Sequence, residues 1–194
     1  MSKVDCHFQA DPKTGIATEC GDTGLIQRDG KFCFLALIDA LGHGPRAYEI
    51  ACRAREYLQE HYRENLIALM QGLHEHLKGT IGAVGSLCRL DTETGELACV
   101  GIGNITVKIL GVRPHTFVQY DGIIGYLLRT PREQYGQLIP GDILLMHSDG
   151  IFHNISIDEL AGFLQGDAAA IVRNFMEHFR KNDDDASCIS VRFS

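Results

Sequence analysis

At 194 residues the chain has room for one domain with a substantial core, and its formal charge of −7 sets up a field that repels a phosphate backbone. No Lys/Arg cluster offsets that field, so nucleic acid is not expected as a partner. Hydrophobic residues at 45% and charged residues at 22% exclude a disordered or collagen-like chain, and no uncharged apolar run approaches the roughly 20 residues of a membrane span.

From Lys3 to Ile38, short apolar runs are separated by the turn signals Asp11-Pro12, Thr14-Gly15 and Asp29-Gly30, the last a hairpin signal. This opening stretch predicts strands. Gly44-Pro45 then starts an amphipathic helix, with Ala47, Ile50, Ala51, Ala54 and Leu58 on one face. A second helix places Leu66, Leu69, Met70, Leu73 and Leu77 on one stripe and ends at Gly79. His74 and His76, flanking Glu75 near its end, read as exposed.

Residues 81–137 return to strands, with Thr94-Gly95 and Gly103-Asn104 as turns, and Asp142 to Ser148 is a compact apolar strand. Gly101-Ile102-Gly103-Asn104 lacks the third glycine and the helix of a dinucleotide loop, so it reads as a strand-linking turn. Ser156 with Glu159 has capping-box spacing for a short helix through Leu164. Asp167 can cap the next helix, whose stripe is Ala168, Ile171, Val172, Phe175 and Phe179. In the last strand Ile189, Val191 and Phe193 alternate with Ser190 and Arg192, which predicts half-burial. The order of elements fits mixed layers of antiparallel sheet and helix rather than a doubly wound parallel sheet.

The seven cysteines are odd in number, lack a C-x-x-C pair and mostly sit in apolar runs, as reduced core residues of a cytosolic protein do. The early charges Asp5, Asp11 and Lys13 do not suit a secretory leader, so a cytoplasmic location is expected.

Two apolar strands each deliver an aspartate to their ends. Asp39 follows Phe32 to Ile38, and Asp149 follows Ile143 to Ser148. An ionised carboxylate at the rim of so apolar a strand is costly unless a cation or hydrogen-bond donors compensate it. Taken singly, Asp39 fits a loop or helix cap, Asp149-Gly150 a hairpin turn and Asp183-Asp184-Asp185 a solvated face. Gly21-Asp22 adds a fourth acidic strand end, and the recurrence is what a simple turn does not explain. An all-oxygen ligand set of this kind suits Mg²⁺ or Mn²⁺ rather than Zn²⁺.

Taken in order, Gly21-Asp22, Asp39-x-x-Gly42-His43-Gly44, Pro140-Gly141-Asp142 to Ser148-Asp149-Gly150 and Asp184-Asp185-Ala186-Ser187 resemble the bacterial stress-response and sporulation branch of the protein phosphatase 2C superfamily. The match spans nearly the whole chain. It implies one domain over residues 1–194, an α+β fold built as an αββα four-layer sandwich with two antiparallel sheets flanked by helix pairs, and a site for two Mn²⁺ or Mg²⁺ ions. By that resemblance Asp39 bridges both metals, the Ala40 carbonyl binds one, Asp149 and Asp184 complete the second, and Asp22 either binds metal directly or stands just behind the ligands. His43 is a candidate proton carrier or donor beside it, or a polar turn residue. Ala40 stands where relatives often have Gly, and Ser187 where Thr is commoner.

The activity implied is hydrolysis of phosphoserine or phosphothreonine by a metal-activated water. The substrates implied are phosphorylated stressosome scaffold proteins of the STAS type, met by a monomeric enzyme in a bacterial cytoplasm. A non-catalytic regulatory module that keeps the fold to bind a phosphoprotein is the alternative from another class. A hydrolase of small phosphate esters is a third reading.

Overall fold

The computed structural model describes residues 4–152, 160 and 162–194. Strand β1 (Val4–Asp11) is followed, after a short 3-10 turn at Ala17–Glu19, by the hairpin β2 (Asp22–Asp29) and β3 (Phe32–Ala40). Helices α1 (Pro45–His61) and α2 (Leu66–His76) come next, then β4 (Ala83–Asp91), β5 (Glu96–Ile102), β6 (Thr106–Leu110) and β7 (His115–Thr116). A small hairpin, β8 (Gly122–Ile123) and β9 (Leu127–Leu128), precedes β10 (Gln134–Gln137) and β11 (Ile143–His147). Helix α3 (Ala168–Phe179) and strand β12 (Ala186–Phe193) close the chain.

Two antiparallel five-stranded sheets result, ordered β1-β12-β11-β6-β7 and β10-β5-β4-β3-β2. Alternation along the strands divides the core into three layers. In β3, Phe34, Ala36, Ile38 and Ala40 pack on α1 and α2, whereas Cys33, Leu35 and Leu37 face the other sheet. In β12, Ile189, Val191 and Phe193 face inward, and Ala186 and Cys188 pack on α3. This is an α+β sandwich of two sheets between helical layers: the order of elements predicts mixed antiparallel sheet and helix, and the family resemblance implies the sandwich.

Local signals account for the helix starts. Pro45 occupies the first turn of α1, the Asn65 side chain accepts the Ile67 and Ala68 N–H groups at 2.9 and 3.3 Å, and Asp167 accepts the Ala170 N–H at 2.8 Å. The expected capping box at Ser156 and Glu159 lies outside the described residues. Among the described residues, no helix is long and apolar enough to cross a membrane.

Two expectations need correction. The last strand is not half-buried, because β12 is central in its sheet and α3 covers its outer face; Ser190 is fully enclosed there. His74 is half-buried rather than exposed, and its Nδ1 accepts the Gly125 N–H at 2.9 Å, which fastens the β8–β9 turn to α2.

Candidate metal centre

The inner faces of the two sheets run out in polar residues at one common end. Asp22 and Asp39 are direct partners in the β2–β3 ladder, so both carry their side chains on the face that looks toward the other sheet. From that sheet, the continuation of β11 supplies Ser148 and Asp149, the approach to β12 supplies Asp184 and Asp185, and β12 itself supplies Ser187. Two sheets of opposite sequence origin therefore meet around one group of carboxylates.

Three of these acids, Asp22, Asp39 and Asp184, bear the marks of crowding. Burial pushes the Asp39 carboxyl up to about 9, and Asp22, Asp149 and Asp184 add like-charge repulsion, with a hydrogen bond shared with Asp22 acting in the same direction. Burial raises Asp22 to about 6, opposed by the Ser148 and Ser187 hydroxyls and assisted by Asp185 and Asp149. Asp184 is also raised, first by burial and then by Asp149. The sequence-predicted residues Asp22, Asp39, Asp149 and Asp184 are thus brought within electrostatic reach of one another.

A scaffold of hydrogen bonds holds them. Ser148 Oγ accepts the Ser187 N–H at 2.9 Å, which leaves its own proton for Asp22. Asn104 Nδ2 donates to Asp149 Oδ2 at 2.8 Å. Asp185 is buried and acts as a clamp: its Oδ1 accepts the Lys13 N–H at 2.8 Å and its Oδ2 the Gly21 N–H at 2.7 Å. Within the triplet, Asp183 is exposed, Asp184 half-buried and Asp185 buried, so one acidic run serves three environments. Asn104, Ser148 and Asp185 are contributors that the spacing of the aspartates did not reveal.

Gly150 is required by contact rather than by backbone angle. A Cβ there would lie 1.8 Å from the Asp185 carbonyl oxygen, a distance no relaxation of a flexible side chain can relieve. Gly150→Ala is expected to cost about 2 kcal/mol or more in urea unfolding and to displace Asp149 from Asp184. A variant as stable as the parent would show that these two strand ends do not press together.

Ala40 is an ordinary strand residue, since every positive φ among the described residues belongs to a glycine. Its carbonyl oxygen sits close to Gly21, 3.2 Å from where a Cβ there would stand, and its N–H donates to the Gly21 carbonyl at 3.0 Å. His43 is exposed on the loop between Gly42 and Gly44, both with positive φ. His147 is buried, with Nδ1 2.9 Å from the Ser148 carbonyl oxygen.

Among the described residues, no group of three or more His, Cys, Asp and Glu side chains is already gathered on a single point as a metal ligand set. The donors nonetheless fit a hard divalent cation. Asp22 Oδ2 is buried with no hydrogen-bond partner, Ser187 Oγ faces it outside hydrogen-bonding geometry, and the surrounding acids are all oxygen donors.

The family described as stage II sporulation protein E (SpoIIE) matches residues 29–194. No curated protein matches the chain. A solved structure from work on the bacterial stressosome, a modular system adapted to control secondary messenger signalling, is similar with a TM-score of 0.90 and 33% identity over 98% of this chain and 100% of that one. RsbX in complex with magnesium superposes with a TM-score of 0.85 at 17% identity, with both chains fully covered. The PP2C phosphatase domain of SpoIIE from Bacillus subtilis, solved with a fragment of its regulatory domain, gives 0.86 at 20% identity over 100% of this chain and 64% of that one.

Proposed function

Because the chain belongs to the SpoIIE family of PP2C-type phosphatase domains, we propose that it is a Mg²⁺- or Mn²⁺-dependent protein phosphatase that hydrolyses phosphoserine and phosphothreonine. The observation that carries this reading is the half-buried Asp39 carboxyl, pushed up to about 9 by desolvation and by the charges of Asp22, Asp149 and Asp184. Four crowded acids at one rim are costly by themselves, and divalent cations are the partner that offsets the cost.

In this reading Asp39 and the Ala40 carbonyl, with Asp149, Asp184 and Asp22, hold two cations. When bound, such cations acidify water and neutralise phosphoryl oxygens. The chain's own polar groups fix the geometry: Asn104 orients Asp149, the Ser148 hydroxyl steadies Asp22, and Asp185 ties the Lys13–Gly21 segment to the start of β12. His43, on the exposed loop after Ala40, is placed to exchange protons with solvent at the rim. The net charge of −7 would repel a phosphorylated substrate, so the cations also create the local positive focus that binding needs.

The substrates are phosphorylated stressosome scaffold proteins of the STAS type, and the enzyme works as a monomer in a bacterial cytoplasm. The stressosome structure at 33% identity supports that choice. The test is turnover of a phosphorylated STAS-type scaffold domain beside small phosphate metabolites, with Mn²⁺ or Mg²⁺ uptake followed by calorimetry. Cation uptake with preference for the phosphoprotein is expected. Tight cation binding with turnover of metabolites alone would overturn the substrate, and failure to take up either cation would overturn the enzyme in favour of a binding module.

A further inference from the structure

Cys6 and Cys33 sit on different sheets, one on β1 and the other on β3, yet their Sγ atoms are 3.9 Å apart. Both sulfurs are free thiols. Cys33 is fully enclosed in the core between the sheets, while Cys6 is half-buried at the rim where the β1 and β2 edges face each other. The Arg28 guanidinium reaches over this rim from β2, donating to the Val4 carbonyl at 2.7 Å and lying 3.9 Å from Cys6 Sγ. One reachable thiol, a sheltered second thiol and a fixed cation are the parts of an oxidation site.

We propose that Cys6 and Cys33 form an oxidisable dithiol, a modification site at which hydrogen peroxide joins the two sulfurs in a disulfide that pins β1 to β3. Cys6 reacts first because it is the one the oxidant can reach. Its thiolate attacks one peroxide oxygen, the O–O bond breaks and hydroxide leaves, giving a sulfenic acid. The Cys33 sulfur then attacks the Cys6 sulfur, the S–O bond breaks and the departing hydroxide takes up the Cys33 proton. Two thiols lose two electrons, and one peroxide becomes two waters.

The surroundings favour this order. A hydrogen bond from Cys33 and the Arg28 guanidinium, acting against burial, hold the Cys6 thiol below its ordinary value. Closing the gap to the about 2 Å of a disulfide requires side-chain rotation at a rim where no ladder hydrogen bonds join β1 to β3. Cys88 and Cys99 are direct partners on β4 and β5, but both are wholly buried, so they serve as an internal control. The dithiol also lies toward the opposite end of β3 from Asp39, about 20 Å away by strand rise, so the proposal stands apart from the metal reading.

The test treats the folded full chain with hydrogen peroxide, blocks remaining thiols and maps tryptic peptides without reduction. The expected product joins peptide 4–13 to peptide 32–46, lighter by two hydrogens than their sum and absent from Cys6→Ser. Arg28→Gln should slow its formation severalfold. In Cys33→Ala, Cys6 should instead be trapped as a sulfenic acid by dimedone, a readout that survives if the double-thiol geometry is disturbed. Cross-links at Cys88–Cys99 or between chains in place of Cys6–Cys33, or a Cys6 that stays alkylatable throughout, would overturn the proposal.

Discussion

Asp39→Asn should lose metal-dependent hydrolysis of an aryl phosphate by on the order of a thousandfold, about 4 kcal/mol of barrier, while its metal-free form becomes more stable than the parent. The two effects share a cause. Burial first, and then the charges of Asp22, Asp149 and Asp184, push the Asp39 carboxyl to about 9, so an amide of the same shape removes the cost of holding that acid in place and removes a ligand in the same step. Kinetics with Mn²⁺ and thermal melting in chelator check both halves. Undiminished turnover would sink the assignment of Asp39 as a ligand, and a lower melting temperature in chelator would show that its carboxyl is stabilised rather than crowded.

The metal-free protein should also lose stability as pH rises, which is the reverse of ordinary acid denaturation. Asp22 and Asp39 have folded-state values raised to about 6 and about 9, above those of an unfolded aspartate. The folded chain therefore holds protons that the unfolded chain has released, and the stability they supply is full below the unfolded value near pH 4. It is lost as pH climbs through 6 for Asp22 and through 9 for Asp39. Each pH unit in that window costs about 1.4 kcal/mol for every carboxyl that stays protonated only in the folded state, or about 3 °C in melting temperature for a chain of this size. Mn²⁺ or Mg²⁺ displaces those protons, so the cation's stabilising effect should grow with pH and flatten the slope. Melting curves from pH 5 to 8, with and without cation, measure this, and Asp39→Asn supplies the baseline. A metal-free slope of zero, or one that Asp39→Asn does not reduce, would show that the carboxylates are not crowded.

Part of the site could be counted directly from the chain. The Asp29-Gly30 turn sets the β2–β3 register, in which Asp29 pairs with Phe32, and seven steps back along each strand bring Asp22 opposite Asp39. The pairing of these acids is therefore a consequence of one local signal. Asp149 and Asp184 are more than a hundred residues from Asp39, and no spacing rule connects them; their place follows from how the two sheets stack. Asn104 looked like nothing beyond a turn because its partner, Asp149, is 45 residues away. The alternation in β12 was visible, yet polar Ser190 and Arg192 suggested a solvated face. A serine is small enough to be enclosed under α3, and Arg192 extends from the rim to the Gly166 carbonyl at 2.6 Å, so neither side chain marks an exposed strand.

The pairing of β1 with β12 joins Val4 to Phe193 and so ties together segments separated by most of the chain. The β2–β3 and β4–β5 ladders, by contrast, are hairpins joined by short turns and can zip up by short-range contacts, while β3–β4 closes over the two helices. The β1–β12 ladder closes the longest loop among the described ladders and is expected to form late, and with it forms the clamp in which Asp185 accepts the Lys13 and Gly21 N–H groups. A cation that needs acids from both sheets can therefore bind only once the last ladder has closed, and its capture rate in a refolding experiment would time the completion of the molecule.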